Sequence, residues 1–199
     1  AGGRAEGLEH PHPGHRVAPA LARDGLAAVR EGLLAWHADP DGPHAPAARG
    51  RMAYAALLSG VCLANAGLGA VHGFASPLGA QLPIPHGMAC GAVLWQTIRT
   101  NISALTERVP DSPALPKYAQ AGRILADLPS SIRDGAARVA LVDTLHDMVN
   151  ALDVPPLSAF EMTAEHIPVV VADSPGSSMR TNPGALTDEE LTDILEQAL

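Results

Sequence analysis

Between Val17 and Trp36, apolar side chains fall at Leu21, Leu26, Val29, Leu33 and Leu34, the three-and-four spacing of one helical face. Pro19 suits the first turn of such a helix. The stretch from His37 to Gly50, HADPDGPHAPAARG, is dense in turn residues and reads as a linker. From Arg51 to Ala66 the chain is apolar nearly all round, which predicts a central helix. Glycines at 67, 69 and 73 then permit close helix contact, and Pro77, Pro83 and Pro85 punctuate the exit.

His86 heads a further helical pattern through Met88, Val93, Leu94, Ile98, Ile102 and Leu105. Ser112-Pro113 has the form of a helix start, a cap followed by proline at the first helical position. Apolar positions recur from Ile132 to Leu152 at helical spacing, and Thr163 can cap a short helix to about Ala172. Thr187 and Glu190 form a capping box ahead of Leu191, Ile194 and Leu195. Neither β-alternation nor an internal repeat stands against this pattern. It predicts an all-α, multi-helical bundle of about seven to nine helices in a single domain, residues 1–199, with 1–15 an irregular opening segment.

Composition sharpens that expectation. Aromatic residues make up 3% of the chain while hydrophobic residues make up 47%, so small side chains must do most of the packing. A net charge of -8 without a basic cluster argues against a nucleic-acid surface. No twenty-residue apolar run or signal pattern points to a membrane. Cys62 and Cys90 lack metal-type spacing and read as buried thiols of a reduced, cytoplasmic protein. The opening AGGRAEGLEHPHPGH, without an initiator methionine, reads as a chain entered partway through a larger one.

The candidate chemistry lies in GLGAVHGFASPLGAQLPIPHG, residues 67–87, where His72 and His86 stand fourteen residues apart in apolar surroundings. Neutral imidazoles from two helices can converge on iron, zinc or nickel. Ordinary hydrogen-bonded histidines satisfy the same spacing, and two ligands do not complete a site. His10, His12 and His15 suit an exposed loop better than a second metal site, because prolines flank them. His37, His44, His146 and His166 fall on linkers or helix surfaces, and Asp24 and Glu31 read as solvated helix charges.

The longer stretch AALLSGVCLANAGLGAVHGFASPLGAQLPIPHGMACGAVLWQTIRTNI resembles the signature region of the iron-containing alcohol dehydrogenases. The family pattern, Asn-x-x-Leu-Gly-x-x-His and then Pro-His-Gly ahead of an apolar helix ending near Asn, is met by Asn65, Leu68, Gly69, His72, Pro85, His86, Gly87 and Asn101. The closing TAEHIPVVVADSPGSSMRTNPGALTDEELTDILEQAL, with Asn182-Pro183 before the last helix, is similar to the family's terminal segment. The resemblance covers the family's helical carboxy-terminal half.

That resemblance implies a metal, commonly iron and sometimes zinc, held by one Asp and three His, with His72 and His86 matching the last two ligands. It implies Asn65, Leu68 and Gly69 as cofactor-facing positions, and NAD(P) bound by an amino-terminal α/β domain. The substrate would be a small alcohol or aldehyde and the enzyme a homo-oligomer. Three departures stand beside it. The first two ligands normally come from an Asp-x-x-x-His element; aligned without gaps, Glu6 follows the ligand position and Gly3 occupies it. A gapped alignment puts Glu6 and His10 on the pair instead. Ser76 stands where many members carry a further histidine near the nicotinamide, and serine cannot act as a general acid or base near neutral pH. No Gly-rich phosphate turn occurs in these residues. The departures leave open a non-catalytic helical module kept for assembly and, more distantly, a hydrolase on the same scaffold.

Overall fold

Small side chains let the first two helices lie against each other. The computed structural model describes residues 14–199, with side chains from Ala18 onward. Gly3, Glu6, His10, His12 and the His15 side chain, and with them both alignments of the upstream ligand pair, lie outside the described residues. Helix α1 spans Gly14–Ala38 and α2 spans Ala45–Ala66, forming an antiparallel hairpin. A Cβ at Gly32 would come within 2.9 Å of Arg51 Cβ and 3.1 Å of the Ala48 carbonyl, so the helices touch where a side chain is missing. Cys62 Sγ donates to the Ala18 carbonyl at 3.4 Å, and the exposed Glu31 carboxylate accepts from Arg51 Nε at 2.8 Å. Because α1 begins at Gly14, Pro19 lies in its second turn and not its first. Helix α2 begins at Ala45, ahead of the expected Arg51, because Pro46 sits where a helix needs no N–H; the linker shrinks accordingly.

The expectation that the second helix is central does not hold. Its buried residues are Ala45, Ala48, Ala55 and Leu58, whereas Tyr54, Leu57, Val61 and Leu63 are exposed, Leu57 to 64%. An apolar circumference shows that a helix wants covering on every side, not that this chain supplies the cover.

The core forms farther along. Helices α3 (Ala70–Gln81), α4 (His86–Ala92) and α5 (Leu94–Arg108) follow, then α6 (Ala114–Leu125) and α7 (Asp134–Ala151). Helices α8 (Ile167–Asp173) and α9 (Asp188–Glu196) close the chain, with two short 3₁₀ turns ahead of α8 and one between the pair. Nine α-helices and no strand occur among the described residues, the all-α class that the periodicity predicts. Phe74 and Leu78 of α3 pack with Ala89 of α4, Val170 of α8, and Ile194 and Leu195 of α9, all essentially without solvent contact. Pro77 does not end α3; the helix passes through it, its flanks Phe74 and Leu78 anchored in the core. The pattern from His86 to Leu105 is two helices, broken at the fully buried Val93.

Caps behave as the sequence predicts at three places. Ser112 Oγ accepts from the Ala114 N–H at 3.3 Å ahead of α6. Thr187 Oγ1 accepts from Glu190 N at 3.2 Å while Glu190 Oε2 accepts from Thr187 N at 2.8 Å, the reciprocal box. At Thr163 the N–H donates to His166 Nδ1 at 3.1 Å, so His166 is part of a helix start and not an idle surface group. His146 is likewise engaged, edge-on to Trp95 at 4.8 Å, while Arg99 lies 5.0 Å above the same indole. No single helix among the described residues is long and apolar enough to cross a membrane.

Candidate metal centre

Helix α2 and helix α3 meet at 101°, and the three residues between them explain the angle. Gly67 takes φ 77° and ψ −165°, a conformation open essentially to glycine alone, and its N–H caps α2 on the Leu63 carbonyl at 3.0 Å. A Cβ there would lie 2.6 Å from Thr181 Oγ1. That hydroxyl accepts from the Leu68 N–H at 3.0 Å and donates to the Leu68 carbonyl at 2.6 Å. Asn182 Oδ1 accepts from the Ala70 N–H at 3.1 Å, satisfying an orphan donor of the first turn of α3. Asn182 Nδ2 donates to Asn101 Oδ1 at 2.6 Å and to the Gly184 carbonyl at 2.7 Å, and Asn101 Nδ2 returns a bond of 3.2 Å. Asn101 is buried in α5, so α3 is tied through Asn182 to the middle of the bundle. The close-packed glycines thus aim the start of α3, and the third residue of that helix is His72.

His86 comes from the next turn, between α3 and α4. The chain leaves α3 at Leu82, whose side chain and that of Ile84 are buried, and Pro85 caps α4 in extended conformation with His86 as its first residue. The His72 and His86 rings approach to 5.4 Å between centroids, tilted by 49°. Sequence spacing left convergence as one alternative of two; the fold brings the pair together. His72 is half-buried and His86 exposed. Burial, and secondly the neighbouring His86, hold the His72 pKa below its ordinary value of 6.5, so it is neutral and able to donate its lone pair at pH 7.

A third group completes the cluster. Cys90, one turn beyond His86 on α4, places Sγ 3.6 Å from His86 Nε2, and single ligand atoms of His72, His86 and Cys90 all lie within 4.8 Å of one another. Both cysteines are half-buried, not the fully buried thiols expected, and burial pushes the Cys90 thiol pKa up. The four-residue spacing of His86 and Cys90 on one helix face was a legible signal. Two imidazoles and a thiol are borderline-to-soft donors, and they fit a divalent ion such as iron or zinc.

The remaining candidates lie around this cluster. Ser76 is exposed on α3, four residues past His72 and therefore over the same face. Asn65 is exposed near the end of α2, its Nδ2 donating back to the Val61 carbonyl at 2.7 Å. Leu68 and Gly69 are half-buried in the turn and are held by Thr181 and Asn182. Asn65 also lines a cleft of about 430 Å³ between α1, α2 and α6, with Cys62, Arg23, Lys117 and Gln120 at its sides.

Residues 15–199 match the Fe-containing alcohol dehydrogenase family, C-terminal. The chain is 30% identical to the 1-propanol dehydrogenase PduQ of Salmonella typhimurium over 159 residues, 77% of this chain and 41% of that protein. It is 44% identical to the 1,3-propanediol dehydrogenase of Klebsiella pneumoniae over 64 residues, 32% of this chain and 16% of that protein. Among solved structures, an archaeal halo-thermophilic Red Sea brine pool alcohol dehydrogenase matches with a TM-score of 0.80 and 26% identity, over 93% of this chain and 45% of that one. The crystal structure of a 1,3-propanediol oxidoreductase shares the fold, with a TM-score of 0.81 at 23% identity over 92% of this chain and 46% of that one. The chain spans less than half the length of these relatives. It belongs to the iron-containing alcohol dehydrogenase family and corresponds to that family's carboxy-terminal, helical part.

Proposed function

We propose that these helices are the metal- and substrate-binding part of an NAD(P)-dependent alcohol dehydrogenase that interconverts a small alcohol with its aldehyde or ketone. The observation that carries the reading is the approach of His72 to His86, at 5.4 Å between rings, from the first turns of two separate helices, α3 and α4. In this reading the two imidazoles hold iron or zinc, which when bound supplies Lewis acidity toward the substrate oxygen. His72 contributes an imidazole kept neutral by burial. The clamps at Thr181 and Asn182 keep α3 from shifting, so the ligand geometry is set before substrate arrives. Ser76 can orient a substrate oxygen or a water through one hydrogen bond, and the proton then passes to water, because a serine hydroxyl does not titrate near neutral pH.

Asn65, Leu68 and Gly69 form the side of the site turned toward the nucleotide in this reading. NAD(P) itself is held by an amino-terminal domain, which the greater length of the relatives supports. The exposed Leu57 and Val61 of α2 support a covering surface there, from that domain or from a second copy in a homo-oligomer. The alcohol substrate class is taken from relatives named for 1-propanol and 1,3-propanediol.

Turnover by the complete gene product tests the reading. With iron or zinc supplied, reduction of NAD(P) by short primary alcohols is expected, with kcat/KM lowered by about 10³-fold or more in His72→Ala and His86→Ala. Undiminished rates in both variants would overturn it. Ser76 favours a second reading, a helical module without catalysis; metal bound at both histidines with no turnover of any alcohol would establish that one instead.

A further inference from the structure

We propose that Cys90 is a metal ligand beside His72 and His86, so that residues 72 to 90 of this chain supply two imidazoles and one thiolate to the site. The proposal rests on His72 and His86 acting as ligands, and adds a donor that the family's one-Asp, three-His pattern does not contain. It changes the class of ion that the site selects. A thiolate shifts preference from hard cations toward zinc and cobalt(II).

Distances argue for it first. With metal–nitrogen bonds of about 2.0–2.1 Å and a metal–sulfur bond of about 2.3 Å, one nitrogen–sulfur edge of a tetrahedron measures about 3.6 Å. Cys90 Sγ and His86 Nε2 stand 3.6 Å apart. The corresponding nitrogen–nitrogen edge is about 3.4 Å. All three donors fall within 4.8 Å of one another, so side-chain adjustments of about 1–1.5 Å close the set.

The helices argue for it next. His86 and Cys90 are four apart on α4, so both side chains project over the same face. Ala89, fully buried, and the buried Val93 that follows the helix fasten the adjoining side of α4 in the core. Rotation of α4 that would carry His86 and Cys90 away from His72 would also pull Ala89 out of the core. His72 approaches from the first turn of α3, which Asn182 holds at the Ala70 N–H. Two rigid elements therefore present three donors without help from a loop. The remaining rival is a plain thiol–imidazole hydrogen bond, which the same distance also allows.

Cobalt(II) distinguishes the two. Metal-stripped protein is titrated with cobalt(II) alone, alongside Cys90→Ser, Cys90→Ala, Cys62→Ser and His86→Ala, with the far-ultraviolet helix signal confirming folding. The proposal expects visible bands of four-coordinate cobalt together with a near-ultraviolet thiolate-to-cobalt charge-transfer band. That band is lost in Cys90→Ser and Cys90→Ala, retained in Cys62→Ser, and cobalt binding weakens by about tenfold or more in both Cys90 variants. Visible bands in the wild type without the charge-transfer band would overturn the thiolate ligand while leaving the histidine pair standing. Absence of any cobalt spectrum would overturn both, and a charge-transfer band surviving in folded Cys90→Ser would also contradict the assignment.

Discussion

Two stretches of this chain are about equally apolar and rich in small residues, yet they do opposite things. In the hairpin of α1 and α2, helices meet through missing side chains, and one side of α2 leaves Tyr54, Leu57 and Val61 in solvent. Around α3 and α4, glycines also bring backbones together, but polar side chains fasten the contact: Thr181 on both backbone groups of Leu68, and Asn182 bridging Ala70, Asn101 and Gly184. The second region brings His72, His86 and Cys90 together. Small residues make close approach possible in both; a unique geometry comes from the hydrogen bonds that would be left unmade in any other arrangement.

Substitutions at glycine give the sharpest contrast. Gly67→Ala places a Cβ 2.6 Å from Thr181 Oγ1 in a backbone conformation that alanine does not tolerate. A loss of about 2–3 kcal/mol in chemical denaturation is expected, together with weakened metal binding. A wild-type midpoint in that variant would break the comparison. Asn182→Ala comes next. It strands the Ala70 N–H, the Gly184 carbonyl and the buried Asn101 amide, for an expected loss of about 2 kcal/mol, read in urea. Leu57→Ser on the exposed face of α2 is expected to stay within about 0.5 kcal/mol of the parent by the same assay.

Arg108 supplies a pH-dependent test away from the site. Its guanidinium donates to both carboxylate oxygens of Glu190, at 2.8 and 3.0 Å, and this hydrogen bonding holds the Glu190 pKa below its ordinary value of 4.5. A carboxylate depressed on folding contributes stability above its unfolded pKa and loses it as pH falls through the folded one. Glu190→Gln should therefore cost about 1 kcal/mol at pH 7 and progressively less below pH 4.5, where the wild type loses the same contribution. A pH-independent difference between the two proteins would contradict this. One change has the opposite sign: Gly60→Ala, in mid-α2 with open space around it, should gain about 0.5–1 kcal/mol in thermal or urea unfolding.

Local signals were legible in the sequence where the physics is local. The capping box at Thr187 and Glu190, the Ser112-Pro113 start and His86 at the head of α4 are interactions across three or four residues, and each occurs as the residues predict. Three features were not legible because their causes are distant. The break at Val93 is invisible in an apolar run, since packing and not composition interrupts the helix there. The peripheral position of α2 depends on what covers it, which hydrophobicity alone does not specify. Asn182 could be matched to a family segment, but its hold on α3 spans 112 residues of sequence. Convergence of His72 and His86 falls between these cases: the spacing permitted it, and the clamped start of α3 together with the turn from Leu82 to Pro85 brings it about. Cys90 was readable from its spacing to His86, four residues on one helix, and is overlooked when cysteines are compared only with each other.

The proposal that His72 and His86 together hold a metal stands or falls on occupancy. Equilibrium dialysis against zinc, with bound metal counted by mass spectrometry, tests it on the wild type, His72→Ala, His86→Ala and Gly60→Ala. About one ion per chain is expected in the wild type and in Gly60→Ala, and none in either histidine variant while all remain helical. Equal occupancy in the histidine variants, or no stoichiometric metal in the wild type, would contradict the claim.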